Sequence, residues 1–269
     1  ASGMGTDSLD MNFGIFETGR RLEWTYMMAA DMRRRAGVKH GPHSPVDAVN
    51  QWRAIERGKW IWYLPLENIP DDPFSTLTPQ LKAFYREQNV EMWHFKKVHP
   101  KVNIPAAMFS GWWDRVIGTV NQYSGLEANG PEHLRGQHRL VVGPWSHMMT
   151  TLNRDLGPTD YGPQAEETWE NLILRWYDYQ FKGIDDGIGT EPGVKLFILG
   201  ANEWTFEDEW PVRRAETVPY YLHSGGSANT PFGDGSLSHD QPSSERPDQY
   251  SYDPQNPVMS VMDIDAQPM

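Results

Sequence analysis

Two short stretches of this chain end in side chains that do chemistry together. Phe109-Ser110-Gly111-Trp112-Trp113-Asp114 runs from an apolar start to a carboxylate, and Val141-Val142-Gly143-Pro144-Trp145-Ser146-His147 runs from an apolar start to an imidazole. A carboxylate that accepts from an imidazole Nδ1–H fixes the tautomer and stabilises the imidazolium, which leaves Nε2 free as a general base. Asp114 and His147 are therefore the candidate catalytic residues. What they lack is a nucleophile: no Gly-x-Ser-x-Gly turn precedes Asp114, Gly225-Gly226-Ser227-Ala228-Asn229 lacks the last glycine and follows the His, and Ser110 sits too early on its own strand.

Elements must bring the pair together. Ile104-Pro105-Ala106-Ala107-Met108-Phe109 and His138-Arg139-Leu140-Val141-Val142-Gly143 are continuously apolar enough to be strands covered on both faces. Val116 to Asn129 between them predicts a helix that stops at Gly130-Pro131. Strand, helix and strand make a βαβ unit, whose functional groups gather at the carboxyl ends of its strands. Neighbouring strands about 4.8 Å apart would put Asp114 within reach of His147.

Plainer roles compete with these. Asp114 can instead cap the helix that follows it. Trp112, Trp113 and Trp145 suit a core as well as the wall of a pocket, and Arg115 can be a solvated arginine at a helix start. Arg33-Arg34-Arg35 before Gly37 reads as the cationic last turn and C-cap of a helix spanning Phe16 to Ala36.

Elsewhere, Ser44-Pro45-Val46-Asp47 predicts a capped helix that runs to Gly58, and Thr78-Pro79 opens a shorter one. Pro-rich loops join these helices, so residues 1–100 form a helical cap region. A helix is expected from about Gln164 to Lys182, with Trp169, Leu172, Ile173, Trp176 and Tyr177 inward and Gly183 as its stop, followed by a strand over Val194 to Leu199. Val218 to His223 and Gln249 to Pro254 read as short strands around a Gly-rich turn, the opening of a β-sandwich.

The Asp and His segments, 33 residues apart, together with Gly118-Thr119 and Tyr123, resemble the α/β-hydrolases grouped as cocaine esterase (CocE/NonD) and X-prolyl dipeptidyl peptidases. The resemblance continues through Leu196-Phe197-Ile198-Leu199-Gly200-Ala201-Asn202-Glu203-Trp204, Trp210-Pro211 and Tyr220-Tyr221-Leu222, where that family leaves its catalytic domain for a jelly roll. It implies an α/β fold: a helical cap over residues 1–100, the C-terminal part of an α/β-hydrolase catalytic domain over 101–215, and the incomplete start of a jelly-roll β-sandwich over 216–269. It also implies a serine hydrolase that cleaves small esters or amides through an acyl-enzyme, with Asp114 as the acid and His147 as the base. Trp112, Trp113, Arg115 and Trp145 then become substrate-binding candidates. Related α-amino acid ester hydrolases carry carboxylates just after the acid to hold an ammonium group, and Arg115 there suits an acidic or neutral acyl group instead.

Because the family's Ser precedes its cap, the expectation is a fragment that is inactive alone and poorly soluble, its full-length form able to be a homo-oligomer. The competing class is a non-catalytic binding protein with a Trp-rich cleft for a ligand such as a carbohydrate.

Composition narrows the partners. Among 269 residues, 24 Lys plus Arg face 36 Asp plus Glu, and a net charge of -12 argues against nucleic acid or an anionic membrane surface. No run approaches the roughly 18 apolar residues of a spanning helix, so no membrane partner is expected and the compartment, cytoplasmic or secreted, stays open. With no cysteine there is no thiol nucleophile or thiolate metal site. His40-Gly41-Pro42-His43 and Glu132-His133 with His138 lack helical chelating geometry and are expected in surface loops. The acidic pairs near Asp185-Asp186 and Glu207-Asp208-Glu209 are expected as solvated turns. No metal or cofactor is expected.

Overall fold

In the computed structural model, the described residues are 18–74, 95–114, 116–146, 152–230 and 232–253. The helix expected at Thr78-Pro79 lies outside them. The chain forms two compact units divided between Trp210 and Pro211.

The first unit begins with α1 (Thr18–Arg35), α2 (Pro45–Gln51), a π-helical turn (Trp52–Glu56) and α3 (Arg57–Trp60). Ser44 caps α2 as expected, accepting from the Asp47 amide at 3.1 Å with Pro45 in the first turn. The helical run continues to Trp60, past Gly58. Leu22, Tyr26, Ala30, Trp52, Trp60 and Phe74 bury their side chains in one cluster, and the Tyr26 and Trp52 rings meet tilted at 46° with centroids 5.4 Å apart. Of the three terminal arginines, Arg34 and Arg35 reach back to Asp31, whereas Arg33 is buried against Asp72. Gly37 closes α1 with φ of 68°, a conformation open to glycine at little cost.

A four-stranded mixed sheet follows, in the order β1 (Ala107–Trp113), β2 (Arg139–Ser146), β5 (Val194–Ile198), β6 (Glu203–Glu207). Between β2 and β5 the short strands β3 (Asp155–Leu156) and β4 (Thr159–Asp160) pair only with each other. β1, β2 and β5 are parallel and β6 returns antiparallel. The expected βαβ unit is present, with α4 (Val116–Asn129) between β1 and β2 and packed on β1. Pro105 has no N–H to give a ladder, and β1 starts only after it. On one face Ala107, Phe109 and Val141 pack with Trp176 of α5 (Trp169–Tyr177); Tyr123, Val120 and Leu126 of α4 are buried as well.

Several expectations are corrected. The helix predicted from Gln164 starts five residues later, because the chain at Glu167 first pairs with Leu152 and Thr168 then caps α5 by accepting from the Asn171 amide at 3.2 Å. Ile173 and Tyr177 are exposed, not inward, while Trp176 is buried. Gly183 does stop the π-helical turn Asp178–Lys182, with φ of 66°. His138 is not in a surface loop: it is fully buried, and its Nδ1 accepts from the Ala106 amide at 3.1 Å. Burial holds its pKa below the usual histidine range. Asp185 and Asp186 are more than a solvated turn, since Asp185 accepts from the Gly187 and Gly189 amides and Asp186 pairs with Arg175 at 2.7 Å.

The second unit contains a two-stranded antiparallel hairpin, β7 (Tyr221–His223) and β8 (Ser236–Ser238). Val218 to Tyr220 stay outside the strand. Residues 249–253 form no strand, and Tyr250 and Tyr252 are exposed. Their alternation has the right period but no paired neighbour among the described residues.

Candidate active site

The candidate site is built by the seam between β1 and β2. Ala107 pairs with Arg139, Phe109 with Val141 and Gly111 with Gly143; the register then shifts, and Trp113 pairs with Ser146. Two residues of β1 thus span the length of three on β2, a bulge of the kind that re-aims side chains at the end of a strand. Glycine makes it possible. A Cβ at Gly111 would lie 1.9 Å from the Trp145 carbonyl oxygen, and one at Gly143 would meet the Trp145 ring at 2.4 Å. Both strands end at the same edge of the sheet, and Asp114 leaves β1 in a turn closed by its amide donating to the Gly111 carbonyl at 3.0 Å.

Asp114 is half-buried there. His147 follows Ser146 directly in the chain and lies outside the described residues, as does Arg115. The sheet therefore joins the backbone positions next to the two catalytic candidates, Trp113 and Ser146, as a hydrogen-bonded strand pair.

The three tryptophans differ in their surroundings. Trp145 is buried, its indole N–H donates to the Ala165 carbonyl at 2.7 Å, and it packs on Trp204 at 5.6 Å. It holds the bulge in the core. Trp112 is half-buried, donates to the Phe197 carbonyl at 2.7 Å and lies 6.3 Å from Trp210, which ties the end of β1 across to β5. Trp113 is 41% exposed, the tryptophan of the three that offers a face to solvent.

Sequence reasoning quoted Trp204 and Trp210 only as part of the resemblance and did not place them, or the carbonyls of Ala165 and Phe197, around this seam. The alternation Glu203-Trp204-Thr205-Phe206-Glu207 signalled the strand that carries Trp204; nothing local signals which carbonyl an indole will find. No group of three metal-ligating side chains occurs among the described residues, and no described helix is long and apolar enough to cross a membrane. His43 spends its Nε2 on the Val38 carbonyl at 2.6 Å.

Comparison with known proteins agrees with the resemblance. Residues 186–266 match the X-Pro dipeptidyl-peptidase C-terminal non-catalytic domain, a match that begins before β5 and so includes strands of the central sheet. Cocaine esterase from Rhodococcus sp. (strain MB1 Bresler) is 34% identical over 161 residues, 58% of this chain and 27% of the esterase. The structure of an aminopeptidase from a marine sediment Thaumarchaeota archaeon superposes with a TM-score of 0.56 at 19% identity, covering 96% of this chain and 41% of that one. The chain thus spans about a quarter of the esterase and under half of the aminopeptidase. These relatives lend no support to a non-catalytic, Trp-lined binder. The match to the X-Pro dipeptidyl-peptidase S15 family itself runs over residues 2–149, more than half of the chain, and the chain belongs to that family.

Proposed function

We propose that these residues belong to a serine hydrolase that cleaves small esters or amides through an acyl-enzyme. Asp114 and His147 act in it as the acid and base of a Ser-His-Asp triad. The observation that carries this reading is the strand pairing of Trp113 with Ser146, which sets the positions just before the two candidates side by side at the carboxyl ends of parallel strands. The S15 match and the 34% identity to cocaine esterase support the same class of chemistry.

In this reading a Ser from sequence outside the 269 residues is the nucleophile. Its Oγ–H proton passes to His147 Nε2 as Oγ attacks the acyl carbonyl; His147 then gives the proton to the leaving alcohol or amine. Water repeats the cycle on the acyl-enzyme, returning acid and free Ser. Asp114 keeps Nδ1–H oriented and balances the imidazolium charge. Trp113 lines the acyl side, Arg115 favours a neutral or acidic acyl group, and Trp112 and Trp145 support the wall. Residues 1–100 form a helical cap, 101–215 the C-terminal part of the hydrolase domain and 216–269 the start of a jelly roll.

The test uses the full-length protein that contains these residues. Asp114→Asn is expected to lower ester turnover about 10⁴-fold while the protein still folds. His147→Ala should abolish both turnover and labelling by a fluorophosphonate. Unchanged labelling in both variants would sink the assignment.

A further inference from the structure

Basic residues stand side by side at four places in the chain: Arg20-Arg21, Arg33-Arg34-Arg35, Lys96-Lys97 and Arg213-Arg214. Three of the four are held in helices. Arg20-Arg21 and Arg33-Arg34-Arg35 lie within α1, where Arg21 and Arg33 are buried, and Lys96-Lys97 lies within a 3₁₀-helix (Phe95–Lys101). An endoprotease must draw several residues on each side of the bond into an extended strand, so a helix has to unfold locally before it can be cut.

Arg213-Arg214 is placed differently. It lies at the start of the second compact unit (Pro211–Ala266), in a stretch from Arg213 to Tyr220 where every residue is exposed and none belongs to a helix or strand. The pair sits in a turn closed by the Ala215 amide donating to the Val212 carbonyl at 3.0 Å. Beyond the turn, the amides of Glu216, Thr217 and Val218 donate to no backbone carbonyl among the described residues.

Exposed loop backbone whose amides are not already paired is what a protease cleft aligns as an added strand. Two successive guanidinium groups select the kind of protease: one whose first two pockets carry carboxylates, each able to take an arginine through charge-assisted hydrogen bonds. The far side of the bond fits as well. Ala215 is small and keeps its N–H, whereas Arg246, also exposed outside any helix or strand, is followed by Pro247, which has none.

We propose that Arg213-Arg214 is a processing site, at which an endoprotease directed at paired basic residues cuts the bond between Arg214 and Ala215. One water enters as the bond from the Arg214 carbonyl carbon to the Ala215 nitrogen breaks, leaving a carboxylate on Arg214 and an ammonium group on Ala215. Strands β1, β2, β5 and β6 stay in one product, and the β7–β8 hairpin passes to the other. The site is independent of the hydrolase reading.

The test treats the folded full-length protein that contains these residues with a subtilisin-type endoprotease specific for paired basic residues, and separately with trypsin, and identifies new termini by mass spectrometry. Within these residues, the first new amino terminus should be Ala215 in both cases. Trypsin accepts single basic residues, yet it should cut there before it cuts after Lys39, Arg135 or Arg154, which are exposed in loops. Arg213→Gln should slow the paired-basic protease at least about tenfold, the size of one charge-assisted contact, while trypsin still cuts after Arg214. Arg214→Gln should stop both enzymes at this bond, and Ala215→Pro should do so with the two arginines in place. All three positions are exposed, so the variants should keep the wild-type melting temperature. A first cut elsewhere in these residues, an unchanged paired-basic rate in Arg213→Gln, or cleavage after Arg214 only in heat-unfolded protein would overturn the proposal.

Discussion

The seam between β1 and β2 and the hairpin of β7 and β8 are both pairs of strands with a histidine nearby, yet they are held by opposite means. Along the seam, Met108, Phe109, Leu140 and Val142 are buried, and the fit is made by backbone: Gly111 lies against the Trp145 carbonyl with no room for a Cβ. In the hairpin, Leu222 and Leu237 are exposed and side chains do the holding. His223 Nδ1 meets Glu245 at 2.6 Å and its Nε2 meets Ser238 Oγ at 2.8 Å, while Ser224 Oγ donates to Asp234 and Asp248. Buried backbone contact resists change in solvent and tolerates little change in sequence. An exposed polar web should behave in the reverse way.

The sharpest way to break this contrast is Gly111→Ala. Its methyl would sit 1.9 Å from a backbone oxygen that no rotamer can move, so the strands must part. We expect a loss above about 3 kcal/mol, at the upper end of overpacking costs, seen as a lower urea midpoint and a weakened near-ultraviolet dichroism of Trp145. Next comes Leu140→Ala. Leu140 is 0% exposed at the centre of the sheet, and its truncation should cost about 2–5 kcal/mol. A loss under 1 kcal/mol in either variant would show that the seam is not held by close packing.

The same contrast explains what could be read from the sequence. The runs through Phe109 and through Val142 announced two covered strands, and Ser44, Gly37 and Gly183 announced helix ends, because local chemistry alone sets those features. Asp114 and the tryptophans around it were legible as a turn at a strand end. The bulge was not, since register depends on which backbone meets Trp145. The late start of α5 was hidden for a similar reason: Glu167 is drawn into pairing by Leu152, 15 residues away, before Thr168 can cap. β8 was hidden because Ser236-Leu237-Ser238 has little strand character and is held by His223. The alternation at Tyr250 and Tyr252 misled because period alone does not supply a partner strand.

Acid should separate the two regions further, beginning with the buried histidine. His138 accepts from the Ala106 amide, so protonation of Nδ1 removes an acceptor from a buried donor, and its Nε2 has no partner among the described residues. Its folded pKa lies below the ordinary 6.5. The unfolded chain therefore takes up the proton first: the stabilisation is complete above about pH 6.5 and falls as pH drops below it. Urea midpoints read by tryptophan fluorescence should decline from pH 7 to 5 in the wild type, and His138→Gln should flatten that slope.

The hairpin should respond with the opposite sign and a smaller amplitude, because its groups are solvent-screened. The Glu245 hydrogen bond, with Asp240 adding a lesser pull, raises the His223 pKa above 6.5; His223 and the Ser224 amide in turn lower that of Glu245 below 4.5. A raised histidine gives stability that is full below 6.5 and is lost as pH climbs through its folded value. A depressed carboxylate gives stability that is full above 4.5 and is lost as pH falls through its folded value. The clasp is therefore complete between about pH 4.5 and 6.5, the interval in which the sheet is losing His138's contribution. Amide exchange at Tyr221–His223 and Ser236–Ser238, corrected for intrinsic rates, should be slowest in that window and speed up on either side. His223→Asn should make the profile flat. If the wild-type profile is already flat, the hairpin is held by its ladder and not by the polar web, and the contrast with the β1–β2 seam fails where it is most exposed to solvent.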